Sequence, residues 1–376
     1  MTSADTDLFI RPRSVILQPE TLCNLDCSYC YLPFRHKRNR MSVEVARTVA
    51  ESVRPWTAYT TVDVCWHGGE PLATGRAYLG RLMDAFNDLD VKHGVQTNAT
   101  LVDDAWCEFF TERDMYVGVS IDGGPSDNAN RVDRKGAPAY EKAMQGIERL
   151  IAHGHEVYAI AVVSDPTPER ARRLYSFAVE SGISELGVNI EEQEGVNATT
   201  NAHDQESVTG FWAELMAAWR ENPTIRLREL GRTLAYVEAV LKDQDHASRR
   251  PPFIDPLPTV AYDGSVTLIS PELAGFGNAR GTFSSGHVLD ASLDEIISRA
   301  TGVPWVAEFM SGVDACRNTC PYFDFCGGGH PANRHFEHGR MDGTETDYCR
   351  NGKMALLEGV LRVVQPDTVS GADSTA

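Results

Sequence analysis

Two groups of cysteines are the residues of this sequence best suited to chemistry. The chain has nine cysteines, an odd number, and no secretion signal precedes them, so a disulfide framework is not expected. Seven of the nine form two compact groups, which are Cys23, Cys27 and Cys30, and Cys316, Cys320, Cys326 and Cys349. Clustered thiols in a reducing compartment indicate bound metal. Cys65 and Cys107 stand apart in apolar surroundings and are interpreted as ordinary buried thiols.

The first group has the spacing C-x3-C-x2-C directly after an apolar run that predicts a strand. Three thiolates on one loop can hold three irons of a [4Fe–4S] cube, which leaves the fourth iron open to a substrate or cofactor. The spacing alone also permits a zinc site of three cysteines and one histidine, with His36 or His67 as the fourth ligand.

Polar motifs end the strands that follow. The run from His67 to Pro71, HGGEP, stands at the end of the second predicted strand, where glycines permit a close backbone approach to a ligand. Further polar residues end the third and fourth strands, and they are Gln96, Thr97 and Asn98, then Ser120 and Asp122, with Arg131 shortly after. The carboxyl ends of strands are the face on which barrel enzymes build active sites.

The C-x3-C-x2-aromatic-C pattern, with a GGEP element one β-α unit later, resembles the radical S-adenosylmethionine (SAM) superfamily. The resemblance implies that SAM chelates the open iron and is cleaved to a 5′-deoxyadenosyl radical, which abstracts a hydrogen atom. It also implies SAM contacts for Tyr29, Gly68, Gly69, Glu70, Pro71, Thr97, Asn98, Ser120, Asp122 and Arg131. Glu70 would accept from the SAM ammonium group, and Arg131 would face its carboxylate.

The second group, C-x3-C-x5-C plus a later cysteine, supplies four thiolates. By ligands alone a zinc tetrathiolate stays open. After a radical SAM barrel, the segment resembles a SPASM domain, the extension that holds auxiliary [4Fe–4S] clusters in peptide-modifying enzymes. Ile269 and His330 stand where that resemblance would place thiols of a further cluster. We therefore expect one auxiliary cluster on Cys316, Cys320, Cys326 and Cys349, and interpret His330 as a surface or substrate-contacting residue.

The chain's ending narrows the resemblance. Cys326-Gly-Gly-Gly-His, then Asn333-Arg334, then Tyr348-Cys349 is similar to the ending of peptide maturases that form cyclophanes. The similarity implies abstraction of a side-chain Cβ hydrogen, attack of that carbon on a nearby aromatic ring, and loss of an electron to the auxiliary cluster. The implied partners are a ribosomally made precursor peptide with its leader and an electron donor such as flavodoxin or ferredoxin. The sequence names no general base.

Three other hypotheses stay open. One is oxidation of a protein Ser or Cys, as in anaerobic sulfatase maturation; Ile269 and Ser270 argue against it, because those enzymes carry a cysteine and a catalytic aspartate there. Another is peptide epimerisation, which would leave the peptide mass unchanged. The last is a non-catalytic zinc protein, which would be colourless.

Elements that position these residues alternate between strand and helix from residue 14 to about 192. Apolar runs predict strands at Ser14–Gln18, Val62–Trp66, Gly94–Gln96, Tyr116–Ser120, Val157–Val163 and Leu186–Ile190. Helical patterns lie between them at Val43–Val53, Ala77–Asp88, Asp103–Arg113, Ala139–His153 and Pro168–Ser181. Continuous apolar strands suit a parallel sheet covered on both faces. The predicted fold class is α/β, a partial (βα)6 radical SAM barrel with a C-terminal SPASM-like auxiliary iron–sulfur domain.

Composition changes along the chain predict its domains. They are an N-terminal tail at 1–13, the barrel at 14–195, a bridging loop and helices at 196–258, the SPASM-like domain at 259–363, and a disordered tail at 364–376. A Pro-rich segment at 249–258 marks the boundary before the last domain. That domain opens with a predicted hairpin at Val260–Ile269.

Charge and hydropathy exclude several partners. The formal net charge is −18, whereas nucleic acid and anionic membranes both attract a positive field, so neither is an expected partner. The polar, acidic run from Met1 to Asp7 does not resemble a signal peptide, so none is expected, and no apolar run approaches the roughly 18 to 20 residues of a membrane span. It is interpreted as soluble and cytoplasmic, with a basic or neutral substrate.

Overall fold

The computed structural model describes residues 7–8, 11–199, 203–243 and 253–364. The predicted tail at 364–376 lies outside these residues except for Val364, which ends a helix. Most of the N-terminal tail and part of the Pro-rich segment also lie outside them. Among the described helices, none combines the length and the apolar character needed to cross a lipid bilayer.

A ten-stranded sheet organises the described chain. The strands in chain order are β1 Asp7–Leu8, β2 Ser14–Leu17, β3 Val62–Trp66, β4 Val91–Thr97, β5 Tyr116–Ser120, β6 Val157–Val163, β7 Glu185–Ile190, β8 Arg226–Leu227, β9 Phe253–Ile254, β10 Thr259–Val260, β11 Ser265–Thr267, β12 Gly277–Asn278, β13 Gly281–Thr282 and β14 Gly286–His287. In the large sheet the order is β14-β11-β10-β2-β3-β4-β5-β6-β7-β8. All neighbouring pairs from β10 through β2 to β8 are parallel.

Helices connect and cover the parallel strands. They are α1 Val43–Thr57, α2 Arg76–Met83, α3 Asp104–Glu112, α4 Tyr140–Ala152, α5 Pro168–Glu180, α6 Gln205–Glu221, α7 Arg228–Lys242, α8 Leu293–Ser298, α9 Pro304–Thr319, α10 Phe323–Cys326, α11 Pro331–His338, α12 Asp347–Cys349 and α13 Ala355–Val364. Side-chain caps begin several of them. Ser42 accepts from the Val45 N–H, and Asp103 accepts from the Trp106 N–H, which satisfies donors that the first helical turn leaves free.

The two faces of the strands differ. Along β6 every second residue from Val157 to Val163 is buried under the helices, whereas Ile160 and Val162 line a cavity inside the curved sheet. Sequence reasoning predicted strands covered on both faces. The face that carries Ile160 and Val162 lines a cavity instead of packing against helices. An apolar sequence pattern does not distinguish these two situations.

The predicted hairpin belongs to the same sheet as the barrel. Its first strand, β10, runs parallel beside β2, and its second, β11, returns antiparallel. The Ile16 N–H donates to the Pro258 carbonyl at 2.9 Å, which ties the two segments together. The C-terminal region therefore extends the barrel sheet directly.

The helices predicted within residues 196–258 are α6 and α7, with a break between them. α6 ends at Glu221, Asn222 precedes Pro223, and the short edge strand β8 follows before α7 begins. Proline disfavours the helical conformation in the residue before it, so the break falls where steric rules place it.

Indole hydrogen bonds join the C-terminal region to the barrel helices. Nε1 of Trp56 on α1 donates to Asp294 on α8 at 2.7 Å. Nε1 of Trp212 on α6 donates to the Asn351 carbonyl at 2.8 Å, within the short π-helical segment Arg350–Met354 that precedes α13. Both indoles are buried, so the two regions share one core.

A pair of helix glycines gives opposite expectations for stability. A Cβ added to Gly146 on α4 would lie 2.2 Å from the Ala99 carbonyl oxygen, whereas Gly231 on α7 has nothing within 4 Å. Gly231→Ala should raise the free energy of unfolding by up to about 1 kcal/mol through helix propensity. Gly146→Ala should lower it by about 1–3 kcal/mol through overpacking. Chemical unfolding of the two variants measures the difference, and equal stability would contradict the close approach at Gly146.

Candidate active site

The carboxyl ends of strands β2 to β7 surround a cavity of about 490 Å³. The cysteine loop leaves β2, the HGGEP run leaves β3, and polar segments leave β4 and β5. Eight of the ten predicted SAM-contacting residues line the cavity together with Cys23, Cys27 and Cys30, and these eight are Tyr29, Gly68, Gly69, Glu70, Thr97, Asn98, Ser120 and Arg131. Pro71 and Asp122 lie behind the lining. Residues that are far apart in sequence therefore line one cavity.

Backbone hydrogen bonds hold the cysteine loop. The Cys23 N–H donates to the Arg35 carbonyl at 2.9 Å. The Asp26 and Ser28 N–H groups donate to the Val132 and Asn130 carbonyls at 2.8 and 3.1 Å. The loop is thus fastened to the segment that follows β5, which fixes the direction of its three thiols.

The paired glycines of HGGEP fit against the base of that loop. Gly69 has φ +57°, and an added Cβ would lie 2.5 Å from the Glu20 carbonyl oxygen. Gly68 has φ +94°, and a Cβ there would lie 2.9 Å from Cγ of Gln18. Both positions need glycine because of the chain's own close packing, in addition to any approach of a ligand.

Glu70 joins the ends of β3 and β4. Its buried carboxylate accepts from the Leu72 N–H at 3.0 Å, from the Thr97 hydroxyl at 2.7 Å and from the Asn98 N–H at 2.9 Å. Burial raises the pKa of Glu70 although these three donors oppose the rise. Side-chain Nδ2 of Asn98 donates in turn to Oδ1 of Asn24 on the cysteine loop at 2.9 Å.

Asp122 organises a second set of contacts. Its carboxylate receives Nε and Nη2 of Arg131, each at 3.0 Å, and the Tyr29 hydroxyl at 2.5 Å. The Val162 N–H also donates to it, at 2.9 Å. The Arg131 guanidinium lies over the Tyr29 ring, 5.4 Å from its centroid. Asp122 thus acts behind the cavity wall by orienting the tyrosine and arginine that line it.

The chemistry of the donor set fits an iron–sulfur cluster. Burial raises the pKa of Cys23 to about 12 and that of Cys27 to about 11, and it also raises the pKa of Cys30. Free thiols there would be protonated, whereas a bound metal deprotonates a coordinating thiol. Among the described residues, no three Cys, His, Asp or Glu side chains surround a position for a single metal ion. A cubane cluster differs from such a site, because each of its irons takes one thiolate.

Four carboxylates form a further part of the cavity lining, here called the carboxylate wall, and the sequence analysis named none of them as site residues. Glu191, Glu192 and Glu194 follow β7, and Glu272 comes from the turn after β11. Burial raises the pKa of Glu192, Glu194 and Glu272. The carboxyl end of the sixth parallel strand was the signal that could have found the first three. No sequence pattern around Glu272 identifies it as a cavity residue.

Asn333 binds two of these carboxylates. Its Nδ2 donates to Glu192 and, at 3.0 Å, to Oε1 of Glu194. Within the described residues, no lysine, arginine or histidine nitrogen lies within 4.0 Å of Glu192, Glu194 or Glu272. The α11 residue Asn333 therefore links the cavity to the C-terminal cysteine region.

Two other side chains complete the cavity. Tyr31 presents a hydroxyl without a hydrogen-bond partner among the described residues, and Cys65 lines the cavity from β3. Sequence reasoning interpreted Cys65 as an ordinary buried thiol. Its partly exposed position on the inner face of the barrel makes that interpretation incomplete.

All four cysteines of the second group line one cavity of about 140 Å³. Cys316 lies near the end of α9, Cys320 follows that helix, Cys326 ends α10, and Cys349 ends α12. The three glycines after Cys326 all have positive φ, from 70° to 105°. A hydrogen bond from Cys349 lowers the pKa of the Cys326 thiol, and the backbone N–H groups of Gly328 and Gly329, which point at the Cys326 sulfur as in an anion-binding nest, add to the decrease.

Among the described residues, none of the histidines His36, His67 and His330 hydrogen-bonds to a cysteine of either group. His36 is half exposed, with Nε2 3.5 Å from Asp26. His67 lines the barrel cavity, and burial lowers its pKa to about 4. His330 is exposed and packs edge-on against Tyr348, with ring centroids 5.3 Å apart.

Comparison with known proteins gives this geometry a family. The Radical SAM superfamily matches residues 19–178. An uncharacterized protein, sll1766, from Synechocystis sp. is 30% identical over 370 residues, covering 93% of this chain and 92% of that protein. The chain belongs to the radical SAM superfamily. As members of that superfamily do, this enzyme uses SAM and [4Fe–4S] chemistry.

Other relatives of the radical SAM enzyme are maturases. The serine-type anaerobic sulfatase-maturating enzyme of Bacteroides thetaiotaomicron is 35% identical over 185 residues, covering 46% of this chain and 44% of that enzyme. Native anSMEcpe with bound AdoMet shares the fold at a TM-score of 0.73 and 22% identity, over 93% of this chain and 98% of its own. This radical SAM enzyme is therefore related to enzymes that modify peptides and proteins.

A likeness at lower identity extends to a peptide maturase. Streptococcus suis SuiB bound to precursor peptide SuiA superposes at a TM-score of 0.66 and 15% identity, over 91% of this chain and 76% of SuiB. The expected radical SAM barrel with a SPASM-type C-terminal region is confirmed as the fold. The additional feature is the direct pairing of β10 with β2.

Asp122 offers a direct test of the wall that carries Arg131. Asp122→Asn removes the only carboxylate that, among the described residues, is bound to the Arg131 guanidinium, which is 7% exposed, so it should lower the free energy of unfolding by about 3–5 kcal/mol. The double variant Asp122→Asn/Arg131→Met should lose less than the single variant, because no buried charge is left alone. Chemical unfolding measures both, and equal losses would contradict a charge-pairing role for Asp122.

Proposed function

We propose that this enzyme forms a carbon–carbon crosslink, a cyclophane, between an aromatic ring and a nearby side-chain β-carbon of a ribosomally made precursor peptide. One observation carries the proposal. One cavity is lined both by three cysteines and by carboxylates, and Asn333, which binds two of these carboxylates, precedes Arg334, whose guanidinium contacts Cys316 of the four-cysteine site. Such a cavity offers hydrogen abstraction, proton acceptance and an electron outlet to one bound peptide.

The proposal assigns two clusters. Cys23, Cys27 and Cys30 hold the SAM-binding cluster, with one iron left open for SAM. Cys316, Cys320, Cys326 and Cys349 hold an auxiliary cluster with no open position, which suits electron transfer better than substrate binding. Because each set of thiols lines a single cavity, their arrangement supports both assignments.

When bound, SAM and its cluster supply a 5′-deoxyadenosyl radical that removes a hydrogen atom. The chain's residues do the rest of the work in the proposal. The Gly68-Gly69 turn and the Asp122-oriented pair Tyr29 and Arg131 shape the SAM side of the cavity, and Glu70 keeps the β3 and β4 ends together. Ile160 and Val162 supply an apolar wall for a peptide side chain.

The reaction balances as follows. The peptide loses one hydrogen atom from a side-chain Cβ, and this carbon bonds to a ring carbon of a nearby aromatic residue. The ring carbon then releases a proton, and one electron leaves toward the four-cysteine site. The peptide has lost two hydrogens in total and gained one bond.

The proposed proton acceptor is one of the carboxylates that line the cavity. Glu192, Glu194 and Glu272 line the cavity, are partly exposed, have pKa values raised by burial, and form no ion pair within 4.0 Å among the described residues. A base with a raised pKa takes a proton more readily at neutral pH than an ordinary carboxylate does.

Mass spectrometry tests the crosslink. Anaerobic reaction with the precursor peptide encoded beside the gene should give a product about two mass units lighter per crosslink, because two hydrogens leave. Fragmentation should be suppressed between the joined residues. A precursor with a ring-deuterated aromatic residue should lose one deuterium, and a product that keeps all ring deuterium would refute the crosslink.

The relatedness to sulfatase-maturating enzymes favours a second candidate, oxidation of a serine or cysteine side chain. Conversion of serine to an aldehyde also removes two hydrogens, so mass alone does not separate it from a crosslink. Reaction of the product with a hydrazide does, because only the aldehyde is labelled. Unchanged mass with an inverted α-carbon would instead indicate epimerisation.

Replacing the carboxylates one at a time tests the proton acceptor. A carboxyl with a raised pKa is protonated and inactive as a base below that pKa, so the wild-type crosslinking rate should rise with pH through the neutral range. The three variants are Glu192→Gln, Glu194→Gln and Glu272→Gln. The variant that removes the base should lower the crosslinking rate about 10²–10⁴-fold and flatten this pH dependence. Cleavage of SAM to 5′-deoxyadenosine should persist.

The exposed residue Glu141 on α4 supplies the matched control. Glu141→Gln should keep both the wild-type rate and its pH dependence, because that carboxylate is on the outer face of the barrel. If all three cavity variants behave like Glu141→Gln, the base is not among these carboxylates.

A further inference from the structure

Arg334 on α11 is a buried guanidinium beside the four-cysteine site. The side chain is 1% exposed, and Nη2 donates to Sγ of Cys316 at 3.2 Å and to the Gly328 carbonyl at 2.6 Å. Nη1 donates to the Phe309 and Met341 carbonyls at 3.3 and 3.0 Å. Four contacts therefore fix the plane of the guanidinium, with one edge directed at a cysteine sulfur.

The positive charge of Arg334 has no carboxylate partner within the described residues. Three of its four contacts are backbone carbonyls, and the fourth is a cysteine sulfur. A buried charge is costly unless an opposite charge lies nearby. The cysteines Cys316, Cys326 and Cys349 are the anionic groups that act on Arg334 when they are ionised. The negative charge that complements this arginine is therefore a set of thiolates.

The helix opposite Arg334 is shaped to admit it. Gly312 lies within α9, and an added Cβ would lie 2.1 Å from Nη1 of Arg334. Glycine is a poor helix former in a helix interior, so a packing reason is expected for it there. The guanidinium is that reason, and it also lies 5.0 Å from the centroid of the Phe309 ring.

We infer that Arg334 raises the reduction potential of the auxiliary cluster, acting as a positioning residue through Cys316. The inference rests on the proposed assignment of an iron–sulfur cluster to these four cysteines. A reduced cluster carries one more negative charge than the oxidised cluster. A fixed positive charge and an N–H···S hydrogen bond therefore stabilise the reduced form, and low-dielectric surroundings strengthen the effect. The consequence is a better electron acceptor for the oxidation of the peptide.

The test begins with full-length protein in which the three cysteines of the first group are replaced by alanine, so that one cluster remains. Anaerobic reconstitution should give about four irons per chain. Zinc or no metal at this stage would refute the proposed auxiliary cluster itself, and that outcome is distinct from any effect of Arg334.

Redox titration of that protein, followed by electron paramagnetic resonance, measures the potential. In Arg334→Gln the ratio of reduced to oxidised cluster at the original midpoint should fall about tenfold, a shift of about 59 mV for one electron. Arg334→Lys keeps the charge and should fall between the two. Arg340→Gln is the matched control, because Arg340 is exposed and pairs with Asp342 on the surface, and its potential should be unchanged.

Thr346 separates the hydrogen bond from the charge. Its hydroxyl donates to Sγ of Cys349 at 3.1 Å without carrying a charge. Thr346→Val should therefore shift the potential in the same direction as Arg334→Gln and by less. An Arg334→Gln protein with full iron content and an unchanged potential overturns the inference.

If the Arg334 variants do not fold, the inference can still be tested on protein that keeps Arg334. With arginine labelled by ¹⁵N, pulsed electron paramagnetic resonance of the reduced auxiliary cluster should detect hyperfine coupling to a guanidinium nitrogen, because Nη2 contacts a ligand sulfur. Absence of that coupling would overturn the inference whatever the behaviour of the variants.

Discussion

Parallel strands bring their carboxyl ends to one edge of a sheet, and the barrel cavity depends on that constraint. The cysteine loop, the HGGEP turn, the Thr97-Asn98 pair and the Ser120–Asp122 segment each leave a different strand at this edge. Their side chains then bond to one another across strand ends, as Glu70 does with Thr97. A change at one strand end is therefore felt at its neighbours, and the carboxylates after β7 join the same cavity for the same geometric reason.

Buried charge is treated differently around the cavity and at the second cysteine site. Asp122 and Arg131 neutralise each other behind the SAM side of the wall. Among the described residues, Arg334 hydrogen-bonds to one sulfur and three carbonyl groups and to no carboxylate, so its charge is available to the thiolates. At Glu192, Glu194 and Glu272, which face the cavity, burial raises the pKa and so favours the neutral form of each side chain. These three arrangements correspond to the three tasks of the proposed reaction, namely orientation, electron acceptance and proton acceptance.

The C-terminal region is joined to the barrel by shared secondary structure and shared core. β10 pairs with β2, Trp212 of α6 bonds to Asn351, and Asn333 of α11 binds carboxylates that follow β7. The two cysteine sites consequently belong to one continuous body. A peptide in the barrel cavity would touch side chains positioned by both regions, which suits a reaction that uses both sites in one turnover.

Local spacing in the sequence was enough to predict the cysteine groups, the HGGEP turn and the strands Val62–Trp66, Tyr116–Ser120 and Val157–Val163, because each depends on neighbouring residues or on the strand period. It was also enough to predict the parallel sheet. Only the tertiary structure disclosed the carboxylate wall, the cavity position of Cys65 and the contact of Arg334 with Cys316. Those features join residues distant in sequence, and the long-range packing that brings them together has no local pattern of its own.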